Sequence, residues 1–251
     1  MKIRRKYILL VLVIGAVAVA GLVIRRTSAR PRTVGQVVAT LKASRGTEFS
    51  NSFPDLLQIR DVLLIAVKKS RRLEVWTRNG DDSVYRFRKT YPFTGFSGKL
   101  GPKRRRGDRQ IPEGIYAITG LNPNSREHLS IKVDYPNATD ENFAKGEKRT
   151  DLGGDIFIHG NDRSIGCIPI GNRNIEELFF LVAEVGATHT TVVIMPVDFR
   201  LKRHKAFKAA AAYERYIYSA IRKELQARLP VPNLSVTNFP RGEKKAPNPG
   251  I

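Results

Sequence analysis

Cys167 and His159 are the residues in this chain whose types and spacing best suit covalent chemistry. Seven residues separate them, and the histidine ends an apolar run. The thiolate is the nucleophilic form of cysteine, and a thiol with an ordinary pKa of about 8.5 is mostly protonated at neutral pH, so a neighbouring imidazole can activate it by taking the proton. Gly166 removes a side chain that would crowd an approaching carbonyl, and the N–H groups of Gly166 and Cys167 suit a developing oxyanion. The segment therefore predicts nucleophilic catalysis.

A structural role is the alternative for Cys167, because most lone cysteines are small buried hydrophobic residues. Thiol reactivity separates the two, since a buried structural thiol reacts slowly and has an unshifted or raised pKa. A single cysteine in 251 residues excludes an intrachain disulfide and every multi-cysteine zinc or iron–sulfur site. We expect no metal or organic cofactor, and we expect structural or surface roles for His128, His189 and His204.

The net charge of +21 is concentrated at the two ends of the chain. Residues 1–32 carry +8 and residues 200–251 carry +9, whereas residues 33–199 carry only +4. A nucleic-acid-binding protein would carry its basic face on the folded domain. We therefore expect no nucleic-acid partner, and the basic ends suit anionic lipid head groups better.

Residues 7–24 form an uncharged run with basic residues on both sides. As a helix this run would span roughly 27 Å, close to the thickness of the bilayer core. Ala18-Val19-Ala20 resembles a small-residue cleavage site, so a cleaved and exported form is the alternative. The apolar run continues to Ile24, which favours an uncleaved signal anchor. We therefore expect attachment to the inner membrane through residues 7–24, with the catalytic domain in the periplasm.

Hydrophobic alternation and turn signals predict a mainly β domain in the middle of the chain. The predicted strands are residues 61–67, 73–77, 114–119, 129–135, 155–159 and 191–195. The predicted flanking helices are residues 33–44, ended by Gly46; a helix from Asn174 as N-cap, with Glu177 in the capping-box position, to Gly186; and residues 201–228. Residues 94–112 and 136–154 are long polar connections of the kind that are usually functional or disordered.

These patterns divide the chain into four parts. Residues 1–32 are a basic stretch and signal anchor, residues 33–59 a helical linker, residues 60–197 the catalytic domain, and residues 198–251 a basic amphipathic helix and tail.

The motif around the cysteine resembles the catalytic signature of the L,D-transpeptidase (YkuD-like) family, a His-Gly followed by Ser/Thr-x-Gly-Cys. Here it reads Ile158-His159-Gly160 and then Ser164-Ile165-Gly166-Cys167. Residues 107–116 are similar to the family's GD..TPEG.Y segment, and Tyr135-Pro136-Asn137, Asp140 and Gly153-Gly154 also match. The resemblance covers about residues 60–197 and implies a mainly β fold, an L,D-transpeptidase-like β-sandwich with flanking helices.

The resemblance also implies roles for individual residues. Cys167 would take an acyl group from a peptidoglycan stem peptide as a thioester, and His159 would act first as base and later as acid. Ser164 would hold the loop, and Gly166 with Cys167 would supply backbone donors. An amine acceptor would make the protein a transpeptidase, and water would make it an amidase or carboxypeptidase.

The chain departs from the family pattern in ways that bear on substrate binding. The short spacing between His159 and Cys167 resembles the YafK-type branch, some of whose members are amidases. Pro169 stands where many members carry an arginine that holds the substrate carboxylate, and Ile165 where many carry histidine. The expected substrate-binding residues are instead Arg163, Gly160 and Arg109, and the basic residues 103–106 are a candidate docking surface. A non-catalytic wall-binding module is a further alternative.

Overall fold

The computed structural model describes residues 30–201 and 209–230. The predicted signal anchor lies outside these residues, as does His204. Within them, no helix combines the length and the apolar character that crossing a bilayer requires.

The described residues form four α-helices and eight strands. The helices are α1 (Val34–Ser52), α2 (Ala138–Gly146), α3 (Asn172–Val185) and α4 (Ala212–Arg228). The strands are β1 (Ile59–Val67), β2 (Arg72–Asn79), β3 (Arg86–Pro92), β4 (Gly114–Asn122), β5 (Ser130–Val133), β6 (Phe157–His159), β7 (Ile168–Pro169) and β8 (Thr190–Met195). The expectation of a mainly β fold with flanking helices is confirmed.

All eight strands belong to one continuous sheet with the order β3-β2-β1-β8-β4-β5-β6-β7. Residues 114–117 of β4 pair with β8, and residues 118–122 pair with β5 after a register shift between Ile118 and Gly120. Such an irregularity bends a strand and increases its twist. The structure therefore has a single curled sheet instead of the expected two-sheet sandwich, because β4 pairs with strands in both halves of the sheet.

Strand β1 is buried on both faces because helices cover both sides of the sheet. Val62, Leu64 and Ala66 pack in a core with α1 and α3, whereas the alternate residues Leu63, Ile65 and Val67 pack against α4. This explains why the sequence of β1 is an unbroken apolar run instead of an alternation of apolar and polar residues.

Helix α1 runs past Gly46, where the sequence predicted its end. Phe49 is 1% exposed and its ring stacks on Phe180 of α3 with centroids 4.7 Å apart. A glycine inside a helix costs about 1 kcal/mol, which is less than the burial of one aromatic side chain returns. Val37 and Leu41 of the same helix also lie in the core.

The predicted capping box of α3 is wrong. The helix starts at Asn172 after Gly171, which has a φ of 80°, so Asn174 lies inside the first turn and donates from Nδ2 to the Ile170 carbonyl at 2.7 Å. Glu177 points into the core instead, where it accepts from Lys89 Nζ at 2.7 Å and from Tyr91 OH at 3.1 Å.

Three elements were not predicted. Helix α2 lies within the polar connection 136–154, and Asn137 caps it with Asp140 completing a capping box. Strand β3 is a polar edge strand and β7 has only two residues, so neither carries a strong apolar pattern.

Two tyrosines attach α4 to buried carboxylates. Tyr213 OH donates to Asp140 of α2, and Tyr218 OH donates to Glu113 Oε2 at 2.6 Å. Both carboxylates are at most 3% exposed. The C-terminal helix is therefore bound to the domain through specific polar contacts as well as apolar packing.

The position of Glu177 yields a stability prediction. Glu177→Gln should lower the free energy of unfolding by about 1–3 kcal/mol, because it weakens the acceptor for Lys89 and Tyr91 in a buried site. Urea denaturation measures the change. Glu184→Gln, at an exposed position of the same helix, is the matched control and should change stability by less than about 0.5 kcal/mol. Equal effects of the two variants would contradict the buried role.

Candidate active site

The pairing of β6 with β7 places His159 and Cys167 at diagonal positions on neighbouring segments of chain. The two strands run parallel, with Ile158 beside Ile168 and His159 beside Pro169. Ile158 and Ile168 face the core, so the alternation of side chains along a strand turns His159 to the opposite face. Cys167 precedes β7 directly, in diagonal register with His159. The two residues that the sequence singled out therefore lie on the same side of this strand pair.

His159 has one of its two ring nitrogens engaged by the backbone. The side chain is 4% exposed, and Nδ1 lies 2.6 Å from the Gly160 carbonyl oxygen. A carbonyl oxygen only accepts, so Nδ1 carries the proton and Nε2 of the neutral ring has a free lone pair. Burial lowers the pKa of His159 below its ordinary value. The imidazole is therefore neutral at pH 7 and able to accept a proton at Nε2.

Cys167 has a protonated thiol in the resting site. Its Sγ lies 3.7 Å from the Asp155 carbonyl oxygen, and burial raises the pKa of the thiol, with the Asp155 and Glu127 charges acting in the same direction. This is the direction expected of a structural cysteine. It is equally compatible with a neutral thiol that gives up its proton to a neutral base during attack.

Residues 164–167 form a turn, the cysteine turn, that is held by the Ser164 hydroxyl. Ser164 Oγ donates to the Cys167 carbonyl at 2.8 Å and accepts from the Gly166 N–H at 3.3 Å. It also lies 2.9 Å from Ser97 Oγ. The sequence prediction that Ser164 organises this segment agrees with these contacts, whereas no sequence signal pointed to Ser97.

Two glycines of the motif are required by close backbone approach. Gly166 has a φ of 131°, and a Cβ there would lie 3.1 Å from the Gln110 carbonyl oxygen. A Cβ on Gly160 would lie 2.7 Å from the Glu127 carbonyl oxygen and 2.6 Å from Asn172 Oδ1. These contacts explain both glycines by packing of the chain, so Gly160 has a structural reason besides the predicted substrate contact.

The polar connection 94–112, here the wall loop, packs against the cysteine turn. Thr94 N donates to the Pro169 carbonyl at 2.9 Å, and Ser97 Oγ lies 2.9 Å from the Arg109 carbonyl oxygen as well as from Ser164. Asp108 organises the loop by accepting from the N–H groups of Arg104, Arg105 and Gln110. The loop is ordered because its polar groups are satisfied within the protein.

Most of the basic residues 103–106 form ion pairs within the domain and do not form the expected open docking surface. Lys103 is 5% exposed and donates to Asp108 at 2.7 Å. Arg104 pairs with Glu147, and Arg106 pairs with Asp151 at 3.0 Å. Their charges are thus largely compensated inside the molecule.

Arg163 and Arg109 are both exposed but differ in their surroundings. Arg163 lines an open cleft of about 680 Å³ together with Arg126, Glu127 and Asp162. Neither His159 nor Cys167 lines this cleft, although the chain between them does. The Arg109 carbonyl accepts from Ser97 Oγ within the wall loop, and its backbone has a left-handed conformation with a φ of 56°.

The two other histidines that the structure describes contact carboxylates. His128 Nε2 is 2.7 Å from Glu176, and His189 is 3.6 Å from Asp61. Across residues 30–201 and 209–230, no three His, Cys, Asp or Glu side chains are grouped as a metal site would require.

Comparison with known proteins relates most of the sheet to one family. The model of the YkuD L,D-transpeptidase catalytic domain matches residues 61–194. The "Putative L,D-transpeptidase YafK" of Escherichia coli (strain K12) is 33% identical over 171 residues, which cover 65% of this chain and 66% of that protein. The match thus spans slightly less than two thirds of the relative's length.

Two solved structures are similar to parts of this chain at lower sequence identity. The helical cell shape determining protein Pgp2 from Campylobacter jejuni has a TM-score of 0.44 and 20% identity, covering 69% of this chain and 59% of that one. L,D-transpeptidase 1 from Mycobacterium tuberculosis has a TM-score of 0.31 and 14% identity, covering 54% of this chain and 62% of that one.

The conformation of Gly166 yields a prediction for the cysteine turn. Gly166→Ala should destabilise the turn by about 1–3 kcal/mol, because it places a Cβ at a positive φ and against the Gln110 carbonyl. Alkylation of Cys167 by iodoacetamide should change by several-fold in rate, measured by mass spectrometry. Gly120→Ala is the control, since a Cβ there meets nothing within 4 Å. An unchanged alkylation rate in Gly166→Ala would contradict the steric argument.

Proposed function

The chain belongs to the L,D-transpeptidase (YkuD) catalytic-domain family, and we propose that it is a cysteine acyltransferase that acts on peptidoglycan stem peptides through a thioester at Cys167. Cell-wall cross-linking or remodelling by L,D-transpeptidation is the activity that we propose first. The observation that carries the proposal is the β6–β7 pairing, which sets Cys167 diagonal to a buried His159 whose Nε2 is free to take a proton.

The proposed reaction has two halves. In the first, the Cys167 thiol gives its proton to His159 Nε2 as sulfur attacks the carbonyl carbon of a stem-peptide amide. The oxyanion faces the N–H groups of Gly166 and Cys167; the Gly166 N–H leaves its long bond to Ser164 for this. The C–N bond breaks, the leaving amine takes the proton from His159, and an acyl thioester remains on Cys167.

In the second half, His159 removes a proton from the acceptor as it attacks the thioester. The C–S bond breaks and sulfur regains the proton from His159, which restores the resting thiol. An acceptor amine from a second stem peptide gives a cross-link, and water gives hydrolysis. The alternative function within this chemistry is therefore a peptidoglycan amidase or carboxypeptidase.

The charges of the resting site support a neutral thiol–imidazole pair. Burial raises the pKa of Cys167 and lowers the pKa of His159, so both groups are uncharged near pH 7. Proton transfer then accompanies attack instead of preceding it. The same raised thiol pKa is the one observation that favours the second candidate, a non-catalytic wall-binding module.

For substrate binding we propose Arg163, with Arg109 and Gly160 near the turn. Arg163 is exposed in the cleft beside the chain that links His159 to Cys167. A guanidinium binds a carboxylate through two parallel hydrogen bonds, and stem peptides carry carboxylates. We further propose that residues 7–24 anchor the chain in the inner membrane, with residues 60–197 as a periplasmic catalytic domain.

The deciding experiment incubates the full chain, with detergent present, with disaccharide-peptide fragments of peptidoglycan. Products and protein are weighed by mass spectrometry beside Cys167→Ser. A cross-linked dimer with a transient acyl adduct on Cys167 is the expected result. Shortened peptides without dimers would assign the hydrolase. A folded protein with neither turnover nor adduct would assign the binding module.

The lowered pKa of His159 predicts that kcat/KM is retained to unusually low pH. The base must be neutral, and a lowered pKa keeps it neutral to more acidic pH, so kcat/KM should lose half its value only below pH 6.5. Circular dichroism at each pH controls for unfolding. Half-loss above pH 6.5 in a folded protein would contradict the assignment of His159 as the base.

Arg163 should affect binding more than chemistry. Arg163→Ala should raise KM about three- to ten-fold with little change in kcat, because a carboxylate contact is made equally in the ground and transition states. Steady-state kinetics on the same fragments measures both constants. Arg60→Ala, another exposed arginine, is the control and should leave KM unchanged. Unchanged KM in Arg163→Ala would remove this residue from the substrate site.

A further inference from the structure

Lys68 and Glu113 form an ion pair that is completely removed from solvent. Both side chains are 0% exposed, and Lys68 Nζ lies 2.8 Å from Glu113 Oε1. A buried ion pair of this kind is weak evidence for stability, because desolvation of the two charges offsets their attraction. Such a pair is better explained by the conformation that it specifies.

The pair holds the middle and the C-terminal end of the wall loop. Lys68 Nζ donates to the carbonyl of Gly101 at 2.7 Å and to that of Ile111 at 2.9 Å. Glu113 Oε1 also accepts from the N–H of Gly101 at 2.8 Å. All three ammonium hydrogens of Lys68 are therefore used, and two of the three go to loop backbone.

Tyr218 on α4 completes the cluster. Its hydroxyl donates to Glu113 Oε2 at 2.6 Å, so each oxygen of this carboxylate has a partner. The donor comes from the C-terminal helix, outside the region that matches the family model.

The other side of the wall loop contacts the cysteine turn. Ser97 Oγ lies 2.9 Å from the Arg109 carbonyl oxygen and 2.9 Å from Ser164 Oγ, and its one hydrogen can go to either. The Gln110 carbonyl oxygen lies against Gly166. The turn carries the proposed nucleophile and the proposed oxyanion donors. A path of direct contacts thus leads from α4 through Glu113 and the wall loop to Cys167.

We propose that Tyr218 is a positioning residue, and that the cluster of Lys68, Glu113 and Tyr218 holds the wall loop in the place that orients the cysteine turn for catalysis. This inference rests on the proposed function for its kinetic readout. It makes the C-terminal helix a part of the active-site support, because loss of its hydroxyl contact loosens the loop that backs the turn.

Tyr218→Phe tests the proposal because it removes one oxygen atom and keeps the ring. The full chain should show kcat lowered about five- to twenty-fold with KM changed less than about two-fold, since a misplaced turn loses transition-state contacts. Amide exchange at Gly101 should become faster. Tyr216→Phe removes the hydroxyl of a side chain that is 55% exposed on the same helix, and it is the surface control. Tyr213→Phe, which removes one of the donors to Asp140 of α2 instead, is the control for helix docking.

A loss of kcat in Tyr218→Phe that neither control shows would support the proposal. An unchanged kcat, or an equal loss in Tyr213→Phe, would overturn it. Ser97→Ala breaks the same path at the loop, so its loss of kcat should resemble that of Tyr218→Phe, and the double variant should lose less than the product of the two. Strictly multiplicative losses would argue against a shared path. An unchanged kcat in Ser97→Ala, which leaves α4 unaltered, would overturn the proposal even if Tyr218→Phe folds poorly.

Failure of the proposed function is distinguishable from failure of this inference. If the wild-type chain shows no turnover, the iodoacetamide alkylation rate of Cys167 replaces kcat. A several-fold change in that rate, with faster exchange at Gly101, in Tyr218→Phe but not in Tyr213→Phe would support the positioning role without any substrate. Identical rates in all three tyrosine variants would overturn it.

Discussion

The parallel pairing of β6 with β7 across the short connection 160–167 is the constraint on which the site depends. Parallel neighbours normally need a crossover of about a dozen residues or more, because the chain must travel back along the first strand before it starts the second. Here the strands are so short that a compact turn suffices. The return passes close to the backbone carbonyls of Glu127 and Gln110, and Gly160 and Gly166 allow that approach. The same return sets Cys167 diagonal to His159.

Neighbouring segments of the chain contact the β6–β7 connection and hold it in place. The wall loop lies on one side, where the Asp162 carbonyl approaches Gly95 so closely that a Cβ would overlap it. Ser97 and Ser164 connect the loop to the turn by hydroxyl contacts. The loop in turn depends on a buried ion pair and on a helix far along the chain. Polar groups that would be costly to bury alone are satisfied together, and this makes the arrangement specific.

Burial, more than any ion pair, determines the protonation states of the imidazole and the thiol. The imidazole and the thiol are both shifted toward their neutral forms by desolvation. A neutral pair needs no permanent counterion, and it suits a nucleophile that is activated only when substrate excludes water. Family members that hold a substrate carboxylate with an arginine after the cysteine would place a cation at this point. Pro169 stands there in this chain, and Arg163 and Arg109 are the exposed arginines that we propose for this role instead.

The sequence alone determined the mainly β class, most strand positions and the family, because strand periodicity and motif residues are local properties of the chain. It also singled out Cys167 and His159, whose chemistry stays a prediction. It missed β3, β7 and α2, whose residues are polar or too few to show a period. Glu177 and Gly46 were misread since burial against distant partners outweighs local capping and helix propensity. Only the tertiary structure decided that one bent strand joins two half-sheets, and that Lys103 is buried. The support of the cysteine turn also emerged only there, because contacts between residues a hundred positions apart leave no local pattern.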